Sequence, residues 1–131
     1  MKYFVSCSFG KDSIATILLA LLNNEPLDGA VFAEVMFDNA RGISGEIPEH
    51  IDWIKNVAKP KLEALGCPIH IVKSNTEDYV TQFNKVRQKS LDPSRIGKKQ
   101  GFPFASGCPL SKACKVKPIK DFYKSLGDEV T

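Results

Sequence analysis

Ser8-Phe9-Gly10-Lys11-Asp12-Ser13 puts two hydroxyls, a glycine, an ammonium and a carboxylate into six consecutive residues. Residues of this kind bind anions: Gly10 lets backbone approach a phosphate with no Cβ in the way, and Lys11 adds a mobile positive charge. The flanks decide how they are presented. Tyr3 to Cys7 is a run of strand formers, and Ser8 to Lys11 reads as a tight polar turn. Asp12 and Ser13 carry oxygens able to accept from first-turn N–H groups, and an Ala/Leu-rich segment runs from Ile14 to Leu22. Strand, loop and helix in that order bring several amide N–H groups and the positive end of a helix dipole to one point, a geometry that binds phosphate. The plainer alternative is an ordinary helix start. Two known phosphate loops are excluded. A Walker loop needs a glycine five residues before its Gly-Lys and a Ser or Thr after the Lys, where this chain has Val5 and Asp12. The dinucleotide fingerprint needs three glycines, and only Gly10 is present.

The other chemistry-bearing groups are the cysteines. Cys7 in the first strand and Cys67 beside Gly66 read as small core or boundary residues. Cys108 and Cys114 are the candidates for catalysis or metal binding. The five residues between them do not match Cys-x-x-Cys spacing, and zinc or an iron–sulfur cluster would need two more ligands. His70, within a strand, and His50, on a helix, are poor donors for that purpose.

The elements that must position these groups alternate. Strand one spans 3–8 and helix one 12–23, ended by Pro26. Strand two spans 30–37, with Glu34 the exception in an apolar run, and 38–47 is a loop. Helix two starts at Pro48, a good first-turn residue, with Ile51, Ile54, Leu62 and Leu65 in its buried stripe. Pro60 predicts a kink and Gly66 a cap. Strand three runs from Pro68 to Val72, and helix three covers 77–89 with Val80, Phe83 and Val86 on one face. A long irregular stretch follows over 90–110. A last helix, 111–126, is expected to break before Pro118 and stop at Gly127. Alternating strands and helices predict an α/β domain with a parallel sheet, right-handed crossovers and helices on both faces. Ligands of such sheets sit outside the carboxyl ends of the strands, here Cys7–Lys11, Phe37–Asn39 and Val72–Asn75.

The loop resembles the pyrophosphate loop of the adenine-nucleotide alpha-hydrolase superfamily, usually Ser-Gly-Gly-x-Asp-Ser, and Gly-Lys-Asp-Ser is most similar to the phosphoadenosine-phosphosulfate (PAPS) reductase family. Phe9 departs from the pattern, standing where the family has its first glycine. Two further stretches resemble that family in the right order. Asp38 ends strand two, and Glu46 and Pro48 match a Glu-x-Pro that opens the next helix. Cys108-Pro109-Leu110-Ser111-Lys112-Ala113-Cys114-Lys115-Val116-Lys117-Pro118-Ile119 matches a cysteine followed by a Lys-(Val/Ile)-x-Pro helix. The resemblance implies a Rossmann-like sheet of the alpha-hydrolase type, with its later strands absent from these 131 residues. It implies binding of an adenine nucleotide (PAPS, adenosine phosphosulfate or ATP). Ser8, Phe9, Gly10, Lys11, Asp12, Ser13, Lys115 and Lys117 would surround the phosphates or sulfate. Phe37, Asp38, Asn39 and Glu46 would meet the nucleoside.

The reaction it implies is sulfonucleotide reduction with a thiol donor protein. The related alternative is ATP pyrophosphatase chemistry that adenylates a substrate for sulfur or amide transfer, in which magnesium would be held by Asp12 or Asp38. Family reductases use a nucleophilic cysteine in a C-terminal tail that these residues do not show, so reductase activity from this stretch alone is not expected. A non-catalytic nucleotide- or nucleic-acid-binding module is the third alternative.

Composition bounds these readings. One domain of 131 residues, 43% apolar and 25% charged, is an ordinary globular chain. The longest apolar run is too short to cross a membrane, and four cysteines with no signal-peptide pattern point to reduced thiols in the cytoplasm. Charge is uneven. Residues 1–84 carry 7 basic and 11 acidic side chains, whereas 85–124 carry 11 basic and 2 acidic, a net of +9 that suits an anionic ligand or a lysine-rich solvated surface. With only three strands, strand one is left with an unpaired edge, which predicts either a shortened member of the family it resembles or completion of the sheet by self-association into a dimer or larger species.

Overall fold

The computed structural model describes residues 1–102 and 107–127. Pro103 and Phe104, beside Gly101-Phe102, and Glu129-Val130-Thr131, where the sequence leaves room for the start of a further strand, lie outside the described residues. In chain order the elements are β1 (Phe4–Ser6), α1 (Lys11–Leu22), β2 (Gly29–Ala33), β3 (Met36–Asp38), β4 (Ile43–Ser44), α2 (Pro48–Trp53), α3 (Lys59–Ala64), β5 (Ile69–Val72), α4 (Tyr79–Asn84), α5 (Pro109–Ser111) and α6 (Lys117–Ser125). β1, β2 and β5 form a parallel sheet with β2 in the middle. This is the expected α/β arrangement. Among the described residues β1 pairs only with β2, and Leu19 and Leu22 on the neighbouring α1 are exposed.

Alternation along the strands explains the two faces. Val5, Ala30, Phe32, Ile69 and Ile71 meet Ile17 of α1 and Ile54, Ala58 and Leu62 of the 48–64 helical run in the main core. Phe4, Val31 and His70 point the other way. There α6 packs against β2 and β5, with the Phe122 ring 5.8 Å from Phe4 and 4.8 Å from His70. Among the described residues no helix is long and apolar enough to cross a membrane.

The second strand is shorter than its apolar run. Instead of continuing to Phe37, the chain leaves the parallel sheet after Ala33 and turns into an antiparallel hairpin of β3 and β4. Glu34 is the cause. Its buried carboxylate pairs with Lys55 Nζ at 3.5 Å, while its own N–H still donates to Val72 O. Gly45 closes the hairpin by donating to Val35 O at 2.7 Å; a Cβ there would lie 2.7 Å from that same oxygen, so only glycine fits.

Pro118 departs from expectation as well, since the helical run does not break before it. Neither Pro60 nor Pro118 ends its helical run. Each follows a single wide π-helical turn, Ile54–Ala58 and Lys112–Val116, and sits in the first turn of the α-helix beyond it. A proline lacks the N–H and crowds the carbonyl four residues back, and one wide turn absorbs that misfit without breaking the run. Gly66 and Gly127, with φ of +95° and +70°, close their helices as expected.

Helix three is six residues, not thirteen. It stops at Asn84, and Lys85–Gln100 folds back as a narrow antiparallel ribbon. Arg87 N donates to Lys98 O, Gly97 N to Arg87 O and Gln100 N to Lys85 O, and Val86 bridges Lys99. Val86 is therefore on the ribbon and half-exposed, not on a helix face.

Asp78 ties the hairpin to α4. One carboxylate oxygen caps the helix by accepting from Thr81 N at 2.7 Å, and the other accepts from Asn39 N at 2.8 Å. Burial pushes this carboxyl up, but the hydrogen bonds from Asn39 and Thr81 outweigh it and hold it below the usual value. Its stabilising effect is therefore complete above the unfolded carboxylate range and is lost as pH falls through the lower folded value. Asp78→Ala is expected to cost about 1–3 kcal/mol by leaving two donors without an acceptor. The difference from wild type, read by urea unfolding, should shrink as the pH is taken below about 4. A penalty that does not depend on pH would contradict the assignment.

Candidate functional site

A cleft of about 380 Å³ opens at the carboxyl ends of β1 and β2. Ser6 and Cys7 leave β1 into its floor, Phe32 and Ala33 end β2 there, and Ser8 continues into the loop. Glu46 enters from the chain after β4. Ser111, Lys115 and Ile119 form the opposite wall. Of the site residues expected from the sequence, Ser8, Glu46 and Lys115 therefore meet in one place, whereas Gly10, Lys11, Asp12 and Ser13 follow Ser8 in the loop and helix start without lining the cleft. Each of the three that meet comes from a different one of the three family-like stretches.

The loop is held by its own side chains. Cys7 Sγ accepts from Phe9 N at 3.4 Å, Ser8 Oγ accepts from Gly10 N at 3.4 Å, and Ser13 Oγ donates to Gly10 O at 2.9 Å. Helix α1 is capped by Gly10 with no side-chain acceptor, so Asp12 and Ser13 are first-turn residues instead of the cap. The first helical bond runs from Ile14 N to Gly10 O. The N–H groups of Lys11, Asp12 and Ser13 thus have no intrahelical acceptor and are directed out of the helix start.

Phe9 resolves the departure from the family pattern. Its φ is +59°, the region glycine favours. Its side chain is buried, with the ring 5.4 Å from that of Phe32 and 6.4 Å from Trp53. The backbone thus takes the turn a glycine would take, while the ring fills core and does not line the cleft.

Other candidates lie elsewhere. Lys117 is paired with Asp121 at 2.5 Å and lines a different surface. Ser111, Lys115 and Ile119 recur every four residues, so one helical face holds them, and Lys117 is turned away from it. That spacing is present in the sequence and picks out Ser111, which the family motif passes over, together with Ile119, which follows the motif's proline. Phe37, Asp38 and Asn39 do not line the cleft. Phe37 stacks on Tyr79, Asn39 is bound to Asp78, Ser74 and Glu77, and Asp38 accepts from Arg41 N and pairs with its guanidinium. Asp38 is thus turned to Arg41 and away from the cleft, whereas Asp12 is exposed beside the loop.

All four cysteines are free thiols. Cys114 is 1% exposed, and burial first, with Glu77, Asp78 and Cys108 adding negative potential, pushes its thiol up to about 11. It carries almost no thiolate at neutral pH, and thiolate is the reactive form. Cys108 is partly exposed at the start of α5. Native thiol titration with a disulfide reagent at pH 7 should modify Cys108 first, with Cys7, Cys67 and Cys114 reacting only on unfolding; rapid modification of Cys114 would contradict its burial. Among the described residues no group of three or more His, Cys, Asp and Glu side chains is close enough to hold a metal ion, so Cys108 and Cys114 do not supply a zinc or iron–sulfur donor set there.

No protein-family model, curated protein or solved structure matches the chain.

Proposed function

We propose that this chain is a Rossmann-like, adenine-nucleotide alpha-hydrolase-type domain that binds an adenine nucleotide in the cleft between the Ser8 loop and Lys115, and that its reaction class is sulfonucleotide reduction. The observation that carries the reading is the meeting of Ser8, Glu46 and Lys115 at the carboxyl ends of β1 and β2, where open parallel sheets take their ligands. The outward N–H groups of Lys11, Asp12 and Ser13 would donate to phosphate oxygens, and Lys115 would add a charge-assisted contact from the opposite wall. Glu46, being anionic, would repel phosphate and instead accept from nucleoside hydroxyl or amino groups.

In the reductive reaction a thiolate attacks the sulfate sulfur, a sulfur–sulfur bond forms, the sulfur–oxygen bond to the nucleotide phosphate breaks, and the nucleotide leaves with the electron pair. Because Cys114 stays protonated and Cys108 does not line the cleft, the thiolate in this scheme comes from a separate thiol donor protein. That same property of Cys114 gives weight to a second reading, ATP pyrophosphatase chemistry. It needs no thiol from these residues and would use Asp12 to help hold magnesium.

Calorimetric titration separates the two readings. PAPS or adenosine phosphosulfate binding that is indifferent to magnesium supports reduction. ATP binding that requires magnesium supports the second reading. No binding of any of the three would overturn both.

A further inference from the structure

We infer that the Lys85–Gln100 ribbon and the row of rings at its base form a binding surface for single-stranded nucleic acid. The row begins on the β3–β4 hairpin and runs across α4 to the chain after the ribbon. Phe37 stacks on Tyr79 with centroids 5.3 Å apart and planes 15° apart, Tyr79 stacks on Phe83 at 6.2 Å, and Phe102 meets Phe83 edge-on at 5.2 Å. Both ends of the row face solvent: Phe102 is 72% exposed and Phe37 43%. Beside them the ribbon presents exposed Lys85, Lys89, Lys98 and Lys99.

Among the described residues none of these four lysines has a carboxylate partner, and Lys99 donates to the neutral Asn84 side chain. Asp92 is the single acidic residue between 85 and 102, and its carboxylate is occupied by Ser94 N. Cations without carboxylate partners on the same surface as exposed aromatic side chains match a polymer with phosphates along one edge and flat bases along the other. Paired bases keep their faces inside the duplex, so the surface selects an unpaired strand. An acidic peptide would use the lysines and leave the rings in water.

The surface is built from residues other than those of the nucleotide cleft, so the two readings stand or fall separately. They are neighbours nonetheless. Leu110 of α5 lines a small gap with Tyr79 and Phe83, and Ser111, the next residue, lines the cleft. A strand lying on the rings would pass one short helix away from the nucleotide.

Fluorescence anisotropy with labelled oligouridylate and oligothymidylate tests the inference. The expected result is salt-sensitive binding that Phe102→Ala weakens by about 5- to 150-fold, the range for losing one stacked base. Replacing Lys85, Lys89, Lys98 and Lys99 by Gln should flatten the plot of log affinity against log salt by about 0.7 for each phosphate that is no longer neutralised. All five side chains are exposed, so these variants should fold. The inference is overturned if the oligonucleotides do not bind at low salt, if Phe102→Ala leaves affinity unchanged, or if duplex DNA or polyglutamate competes as well as the single strand.

Discussion

The Gly10→Val variant is expected to fold with a loss of only about 1 kcal/mol at the helix cap and to lose the proposed nucleotide binding. Gly10 has φ −73° and ψ 162°, an extended conformation that valine adopts readily. A Cβ built there meets nothing closer than Ser8 Oγ at 3.5 Å, an ordinary contact. Space therefore does not demand glycine here; the helix cap favours it over valine by about 1 kcal/mol, and the larger expected effect is on an anion approaching the backbone from outside. A branched side chain would stand between an anion and the N–H groups of Lys11, Asp12 and Ser13. Lys115→Ala, on the other wall, should weaken binding by about 1.5–3 kcal/mol, the range for a hydrogen bond to a charged group. A melting temperature lowered by only a few degrees together with lost affinity in Gly10→Val would support the phosphate loop. Unchanged affinity in both variants would remove it.

The second large effect is on stability. Ile17 is fully buried, and no other residue of α1 is. It holds the helix, and with it the loop at the helix start, against the face of the sheet that carries Phe32 and Ile69. Ile17→Ala is expected to cost about 2–5 kcal/mol, through lost burial and the cavity left behind. That is a large part of the roughly 5–15 kcal/mol that holds a domain of ordinary size. Denaturant unfolding measures it. A loss below about 1 kcal/mol would mean that α1 repacks, or that its exposed leucines are covered and share the load.

What can be seen from the sequence is governed by local chemistry. The strand–loop–helix at the N-terminus, the parallel α/β order, and the helix ends at Gly66 and Gly127 each have a signal within a few residues. The hairpin after Ala33 does not. Met36 and Phe37 extend an apolar run that reads as one strand, and Lys55, which pairs with the buried Glu34 where the chain departs, lies twenty-one residues on. Helix three reads too long because Val80, Phe83 and Val86 keep helical spacing even though the chain folds back after Asn84. Pro60 and Pro118 announce a disturbance but not its form, since kink, break and π-turn all answer the same missing N–H. In the candidate site, Ser8 and Lys115 are legible as a loop and a basic helix. That they share a cleft depends on how the 109–125 helical run crosses the ends of β1 and β2, which no local pattern encodes. The nucleoside contacts expected of Phe37, Asp38 and Asn39 rest on a strand two that reaches Phe37; with the strand ending at Ala33, those residues belong to the hairpin.

The most direct test is to titrate isotope-labelled protein with PAPS, and separately with ATP and magnesium, and follow the amide resonances residue by residue. The account predicts that the largest shifts fall on Phe9 to Ser13 and on Ser111 to Val116, with Glu46 between them, and that Asp38, Asn39 and Lys117 move little. Shifts centred on the β3–β4 hairpin or on Lys117, or no shifts at millimolar nucleotide, would contradict it.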